Sequence, residues 1–325
     1  MAKRNNTKWL QTTLAYSFKP DESTHAAVRR IAAEELDLAI DQLEGRAESN
    51  RDEAIHEARK SVKKVRGILR LMRLELGATY ALENQRLRAA SNKLSDFRDA
   101  GAMLEIFDQI RDRHREEWGN RPILNSLRCG LLQAKARYES GSMPEVLLAV
   151  ADELRNIRDD VTNWPLQNDG FTAIAPGVEL TYRAGRQSMR RALREPSAQN
   201  YHDWRKRVKD HWYHVRLIGR VCGDGLAFYQ KNLKDLEAIL GDDHNLTVLR
   251  QKICSEPGVI GRATDVGFFL NSVENDQSRL RSEAALLGQH VYEDSPKVLV
   301  GELRGLWDAW VKDRERINSS LPVTG

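Results

Sequence analysis

His56-Glu-Ala-Arg-Lys-Ser-Val-Lys63 is followed 146 residues later by a closely similar segment, His202-Asp-Trp-Arg-Lys-Arg-Val-Lys209. The same offset pairs Arg70 with Arg216 and continues without a gap as far as residues 99 and 245. An offset that holds over so many positions indicates a tandem duplication, and its unit is too long for a solenoid repeat. We therefore expect two helical bundles related by an internal pseudo-twofold duplication.

The composition predicts an all-α protein. Only 9 Pro and 21 Gly interrupt 325 residues, and they separate long stretches rich in Ala, Leu, Arg, Glu and Lys. Alternating β-branched residues, which would indicate strands, are almost absent. We predict helices at residues 22–45, 51–76, 80–117, 121–140, 144–160, 176–194, 197–221, 225–255, 261–288 and 296–317.

Turn residues divide the chain into two similar halves. Residues 161–177 contain Trp-Pro, Asn-Asp-Gly and Pro-Gly, the strongest linker signal in the sequence. We expect Asp21 and Ser23 to cap the first helix, and Pro196-Ser197 to open a later one. The predicted organisation is an N-terminal segment 1–20, a first bundle 21–160, a linker 161–177, a second bundle 178–318 and a C-terminal tail 319–325.

Several classes of protein are disfavoured by composition. There are 51 Lys and Arg against 47 Asp and Glu, and this net charge of +4 is too small for a tail that binds polyanions by bulk charge. No run approaches 18 consecutive apolar residues, so we expect no membrane span. No secretory signal is evident, and three distant cysteines give neither a disulfide framework nor a zinc spacing. These features predict a cytoplasmic protein without a cofactor.

The two repeated segments place their basic residues on one helix face. At 100° per residue, the basic side chains lie within about 80° of the histidine that begins each segment, and apolar side chains lie opposite. The first row contains His56, Arg59, Lys60, Lys63, Arg66 and Arg70. The second row contains His202, Arg205, Lys206, Lys209 and Arg216.

These rows concentrate the positive charge of the chain. Residues 55–73 hold seven Lys or Arg against one Glu, and residues 201–219 hold five against two Asp. Like charges three or four positions apart on a helix repel each other. A solvated face would explain one such row, but an unmixed row at two equivalent places favours an anion that lies along both.

Other polar residues leave two interpretations open. Arg183, Arg186, Arg190 and Arg194 either extend the binding surface or face solvent. The acidic residues Asp96, Asp99, Asp242 and Asp243 form two predicted turns, which either hold the basic rows through ion pairs or supply catalytic carboxylates. The structural role is favoured, because Gly241-Asp-Asp-His-Asn has the order Asp-His rather than the His-Asp of phosphohydrolases, and other metal ligands are missing. No phosphate-binding loop, nucleophile elbow or H-E-x-x-H pair occurs either.

The histidines that begin the rows predict a pH dependence. An unperturbed imidazole titrates near about pH 6.5, and a bound anion favours its charged form. Anion binding is therefore expected to strengthen from about pH 8 to about pH 6.

The repeated H-x-x-R-K-x-V-K segments resemble those of the CHAD family, the conserved histidine α-helical domain. Each is followed by a similar segment beginning at Leu94 or Leu240, and Tyr16-Ser-Phe-Lys precedes the first long helix. The resemblance covers roughly residues 16–318. Trp212 departs from it where the first copy has Arg66, and Asn245 stands opposite Asp99.

The resemblance implies two bundles whose basic rows face each other across a central channel that binds inorganic polyphosphate, without enzymatic activity. Association with polyphosphate granules would fit this function. RNA binding and metal-dependent phosphohydrolase activity remain the alternatives. The implied polyphosphate ligands are the two rows, together with Arg183, Arg186 and Arg190.

Overall fold

The computed structural model of the chain describes residues 16–19, 22–47, 49–139, 143–219, 221, 223–255 and 263–320. These residues form an all-α fold with thirteen α-helices and two short 3-10 helices, Val161–Asn163 and Gly223–Leu226. The helices are α1 Thr24–Leu43, α2 Arg51–Leu71, α3 Arg73–Leu76, α4 Ala78–Lys93, α5 Ser95–Arg113, α6 Arg115–Trp118, α7 Pro122–Glu139, α8 Met143–Asp160, α9 Gly170–Arg194, α10 Ala198–Ile218, α11 Ala227–Ser255, α12 Ala263–Val291 and α13 Pro296–Ser320.

Capping side chains fix the starts of the helices that matter most for the site. Asn50 accepts a hydrogen bond from the Glu53 backbone N–H at the start of α2. Ser197 does the same for Asn200 at the start of α10, as the sequence predicts. Ser23 caps α1, whereas the alternative cap Asp21 lies outside the described residues. These caps satisfy backbone donors that otherwise lack partners.

Helix α9 begins six residues earlier than the sequence predicts. The Asp169 side chain caps it and also accepts a hydrogen bond of 2.7 Å from the Thr24 backbone N–H. Phe171 and Ile174 are buried in the core, which stabilises the added turns. Pro176 therefore lies inside a helix rather than in a linker, and residues 170–177 are helical. Packing outweighs the lost backbone hydrogen bond at this proline.

The hydrophobic core is shared by the two halves of the chain. Its larger cluster combines buried residues of α1, α2 and α8 with residues of α9 to α13. A second cluster joins α5, α6 and α7 of the first half to α11 and α12 of the second. The boundary between the predicted bundles therefore does not divide the core. Within the described part of the chain, no helix is long and apolar enough to cross a membrane.

Helix α9 packs directly against the end of α2. A Cβ atom at Gly177 would lie 1.9 Å from the Leu71 backbone oxygen, so only glycine permits this approach. The contact fixes the C-terminal end of the helix that carries the first basic row.

We predict that Gly177→Ala destabilises the protein by about 1–3 kcal/mol, because the added methyl group must displace backbone atoms. The matched control is Gly301→Ala, since Gly301 also lies inside a helix but has open space around it. That change is expected to stabilise the protein by about 0.4–1 kcal/mol. Thermal melts of both variants measure the difference, and equal melting temperatures would contradict the close packing.

Candidate anion-binding site

Helices α2 and α10, which carry the two basic rows, pack against each other. The Nε2 of His214 donates a hydrogen bond of 2.9 Å to the Gly67 carbonyl. A Cβ atom at Gly67 would lie 3.2 Å from the Cβ of Tyr213, so the helices approach closely at this glycine. Arg70 and Asp210 add an ion pair of 3.0 Å between the two helices. The structure therefore brings parts of both rows together.

Four basic residues meet at this contact, Arg59 and Lys63 of α2 with Arg205 and Lys209 of α10, and we call them the cation cluster. Burial of Lys63, reinforced by the charges of Lys209, Arg59 and Arg205, lowers the pKa of its ammonium group to about 7. Both causes disfavour a positive charge. The cluster thus carries an electrostatic cost large enough to neutralise part of the Lys63 population at neutral pH.

Glu237 of α11 supplies a carboxylate to the cation cluster. One of its oxygens lies 2.7 Å from the Lys209 Nζ and 3.6 Å from an Arg205 nitrogen. Burial alone would raise the pKa of the Glu237 carboxyl, but Lys209 and Arg205 hold that pKa below its usual value. Glu237 therefore places a negative charge beside the two cluster cations of α10.

The two arginines of the cluster contact equivalent positions. Arg59 donates 3.2 Å and 2.6 Å hydrogen bonds to the Ser91 carbonyl and the Ser95 hydroxyl. Arg205 pairs with Glu237, and a Cβ atom at Gly241 would lie 3.6 Å from its Nε. Positions 91 and 95 are related to 237 and 241 by the sequence offset of 146. Position 91 thus offers Arg59 a backbone carbonyl, whereas the equivalent position 237 offers Arg205 a carboxylate.

The predicted histidines differ in their surroundings. His202 is half-buried, and its ring lies against that of His244 at a tilt of 34°, with centroids 4.3 Å apart. Burial and the nearby Lys206 and Arg205 lower the pKa of His202, and burial with Arg205 lowers the pKa of His244 to about 4. His56 is exposed, and its Nε2 lies 3.9 Å from Glu57. The histidines of the two rows are therefore not equivalent.

Two buried nitrogen atoms of the second row have no hydrogen-bond partner in the described part of the chain. Among the described residues, no group forms a hydrogen bond with the Nε of Arg205 or with the Nδ1 of His202. Buried polar groups are normally paired, so unpaired atoms beside excess positive charge favour a role in ligand binding.

The remaining row residues make protein contacts outside the cluster. Lys60 and Lys206 pair with acidic residues one turn earlier on their own helices. Arg66 donates to Asn84, and burial with Arg70 lowers its pKa to about 10. Arg216 lies over the rings of Tyr16 and Trp212.

The arginines of α9 make contacts on their own helix. Arg183 pairs with Glu179 one turn earlier, and Arg186 lies close enough to Tyr182 to influence its pKa. Arg190 is exposed. None of these contacts joins α9 to the cation cluster within the described part of the chain, and their role as ligands stays a prediction.

The predicted acidic turn at residues 240–246 is instead part of the continuous helix α11. Its carboxylates do not hold the basic rows: Asp243 pairs with Arg281 at 2.7 Å and Asp242 with Arg113 at 3.5 Å. The helix continues because Leu240 and Leu246 are both buried in the core. The side chains of Asp96 and Asp99 lie outside the described residues. Among those described, no three His, Cys, Asp or Glu side chains are grouped as metal ligands would be.

Glu237 and His244 were not among the site residues predicted from the sequence. The available signal was their spacing, because residues 237, 241 and 244 recur at helical intervals and share one face of α11. Nothing in the sequence alone says that this face meets Lys209 and His202.

Comparisons with known proteins identify the family of this chain. The family model described as CHAD domain matches residues 30–253. Among solved structures, the chain is similar to the CHAD domain of the plant Ricinus communis, with 16% identity and a TM-score of 0.48 over 90% of this chain and 94% of that one. A search of curated proteins gives no match. Because the family model covers more than half of its residues, the chain belongs to the CHAD domain family.

Proposed function

We propose that the cation cluster binds inorganic polyphosphate, in a cytoplasmic protein that acts by binding rather than catalysis. The observation that carries this proposal is the packing of α2 against α10, which gathers two cations from each helix around Glu237. Burial and the neighbouring cations accordingly lower the pKa of Lys63 to about 7. A polyanion would relieve this repulsion, so part of the cost of assembling the cluster would return as binding free energy.

The side chains of the cation cluster suit a linear phosphate chain that carries no nucleobases. The guanidinium groups of Arg59 and Arg205 can take paired contacts to phosphate oxygens, whereas Lys63 and Lys209 act as point charges. Since α2 and α10 contribute two cations each, one phosphate chain would contact both helices. Arg66 and Arg70, farther along α2, could extend the path beyond the cluster.

Nucleic-acid binding and phosphohydrolase activity are the competing interpretations, and a competition titration with a phosphate-release assay separates them from polyphosphate binding. The full chain is titrated with fluorescent polyphosphate, and RNA of equal phosphate concentration is added as competitor. We expect unlabelled polyphosphate to displace the fluorescent polyphosphate at phosphate concentrations at which RNA does not. Phosphate release is followed in parallel with Mg²⁺ or Mn²⁺, and sustained release would identify a phosphohydrolase instead. Displacement by RNA at equal concentration would favour a nucleic-acid module.

Removal of a cluster cation should weaken polyphosphate binding. We predict that Lys63→Met and Arg205→Gln each reduce affinity about tenfold, which corresponds to about 1.4 kcal/mol. The control is Lys231→Met on α11, because Lys231 is 69% exposed and pairs with Asp235.

Polyphosphate binding should also depend on salt. The logarithm of the affinity should fall with the logarithm of the salt concentration with a slope of about −3 for four phosphate contacts, by analogy with single-stranded nucleic acids. Fluorescence anisotropy at several salt concentrations measures both effects. Equal loss in the control variant, or no salt dependence, would contradict the proposal.

Binding should take up a proton at Lys63. The free side chain, with its pKa lowered to about 7, is mostly neutral at pH 8, and a bound polyanion raises that pKa. Affinity should therefore increase as pH falls from about 8.5 to about 6.5, and it should level off once Lys63 is charged in the free protein. Calorimetry in buffers of different ionisation enthalpy counts the protons. Lys63→Met should lose this uptake, and a variant with unchanged uptake would assign it elsewhere.

Glu237 should act as an internal competitor for the ligand. We predict that Glu237→Gln raises polyphosphate affinity about tenfold, because the phosphate no longer meets a carboxylate beside Lys209 and Arg205. Asp235→Asn is the matched control, since Asp235 lies two residues earlier on the same helix and pairs with the exposed Lys231. Weaker binding by Glu237→Gln would show that the carboxylate positions Lys209 for the ligand.

A further inference from the structure

A second polar site lies between α10, α11 and α12. A cavity of about 370 Å³ opens there, lined by Arg281, Gln277, Thr247, Arg250, Glu274 and Cys254 among others. Its volume lies at the lower end of the range for small-molecule sites, about 300–1,000 Å³. The cavity is separate from the cation cluster, because Asp243 of α11 faces Arg281 whereas the adjacent His244 contacts the His202 ring. Consecutive helical residues point about 100° apart.

The guanidinium of Arg281 is held in a fixed orientation. Its Nε donates a 2.7 Å hydrogen bond to the Asp243 carboxylate, whose side chain is 3% exposed. The guanidinium also lies over the Tyr201 ring, 4.6 Å from its centroid. Asp243 occupies the Nε edge only, and no described side chain pairs with the two terminal nitrogens. An arginine fixed in this way can bind a planar or tetrahedral oxyanion with little loss of entropy.

Gln277 is also fixed in the wall of the cavity. The residue is 6% exposed, and its Nε2 donates to the Thr247 hydroxyl at 2.9 Å and to Asp243. Among the described residues, no donor reaches its Oε1. The cavity therefore offers an acceptor at Gln277, a second acceptor at the exposed Glu274, and guanidinium donors at Arg281 and Arg250.

We propose that this cavity binds a small metabolite that carries one oxyanionic group together with hydroxyl groups. The oxyanion would contact the free edge of Arg281, with Arg250 adding positive charge at the rim. The hydroxyl groups would donate to Gln277 and Glu274. The buried carboxylate of Asp243 does not line the cavity, but it fixes the orientation of Arg281 through a hydrogen bond.

The chain contains its own reporter for this site. Cys254 lines the cavity and is exposed, and Cys129 on α7 is an exposed free cysteine elsewhere. Alkylation of the full chain by iodoacetamide is followed at both residues by peptide mass spectrometry. The probes are glycerol 3-phosphate and glycerate, which present a phosphate and a carboxylate on similar carbon skeletons, and glycerol is the uncharged control.

We expect at least one charged probe to slow alkylation of Cys254 about tenfold when it is present at about ten times its Kd, with Cys129 unchanged. Protection by the phosphate alone or by the carboxylate alone identifies the oxyanion, and protection by both indicates a general oxyanion site. Protection should persist in Lys63→Met, which excludes the cation cluster as the place of binding.

The double variant Asp243→Asn, Arg281→Gln removes the guanidinium of Arg281 without leaving the buried Asp243 carboxylate unpaired. This variant should lose the protection of Cys254 by the charged probes. A thermal melt confirms that this variant is folded, and Gln277→Leu provides a second test of the same wall. The proposal is overturned if neither charged probe protects Cys254, if glycerol protects equally, or if the folded variants keep full protection.

Discussion

The close approach of α2 and α10 at Gly67 determines the electrostatics of the molecule. Because no side chain separates the helices there, Lys63 of one row is brought to Arg205 and Lys209 of the other. Another face of α2 contains a contrasting case. Lys64, the next residue, is buried but forms a 2.6 Å ion pair with the buried Glu35 of α1. A carboxylate therefore pairs with the lysine on the side of α2 that faces α1, whereas further cations lie near Lys63 on the side where the rows meet.

The sequence predicted those features that depend on local periodicity. The phase of the basic residues on α2 and α10 follows from 3.6 residues per turn, and the caps Ser23 and Ser197 follow from their hydrogen-bonding side chains. Burial of Trp204 in the core likewise follows from its position opposite the basic row. The all-α fold and the family follow from the same pattern, since it recurs at a constant offset.

Features that depend on contacts between distant helices could not be predicted in this way. The rows were expected to act as units, but their residues have different partners. Arg59, Lys63, Arg205 and Lys209 form the cation cluster, whereas Arg216 lies over the rings of Tyr16 and Trp212. The position of Glu237 depends on how α11 packs against α10. For the same reason, the pH sensitivity assigned to histidine extends to a lysine, because burial moves the pKa of Lys63 to about 7.

The cluster is unequal on its two sides, and this inequality has a physical consequence. Arg59 is held by uncharged oxygens of Ser91 and Ser95, whereas Arg205 at the equivalent place faces Glu237. A carboxylate at position 91 as well would add negative charge beside Arg59 and weaken the attraction for an anion. Loss of the carboxylate at position 237 would remove the 2.7 Å partner of Lys209, and the repulsion on folding would be larger. Glu237 therefore reduces the repulsion among the cations in the unliganded fold, and it also reduces their attraction for the proposed anion. The difference between the two segments at positions 91 and 237 is expected to shift the balance between folding stability and the proposed anion binding.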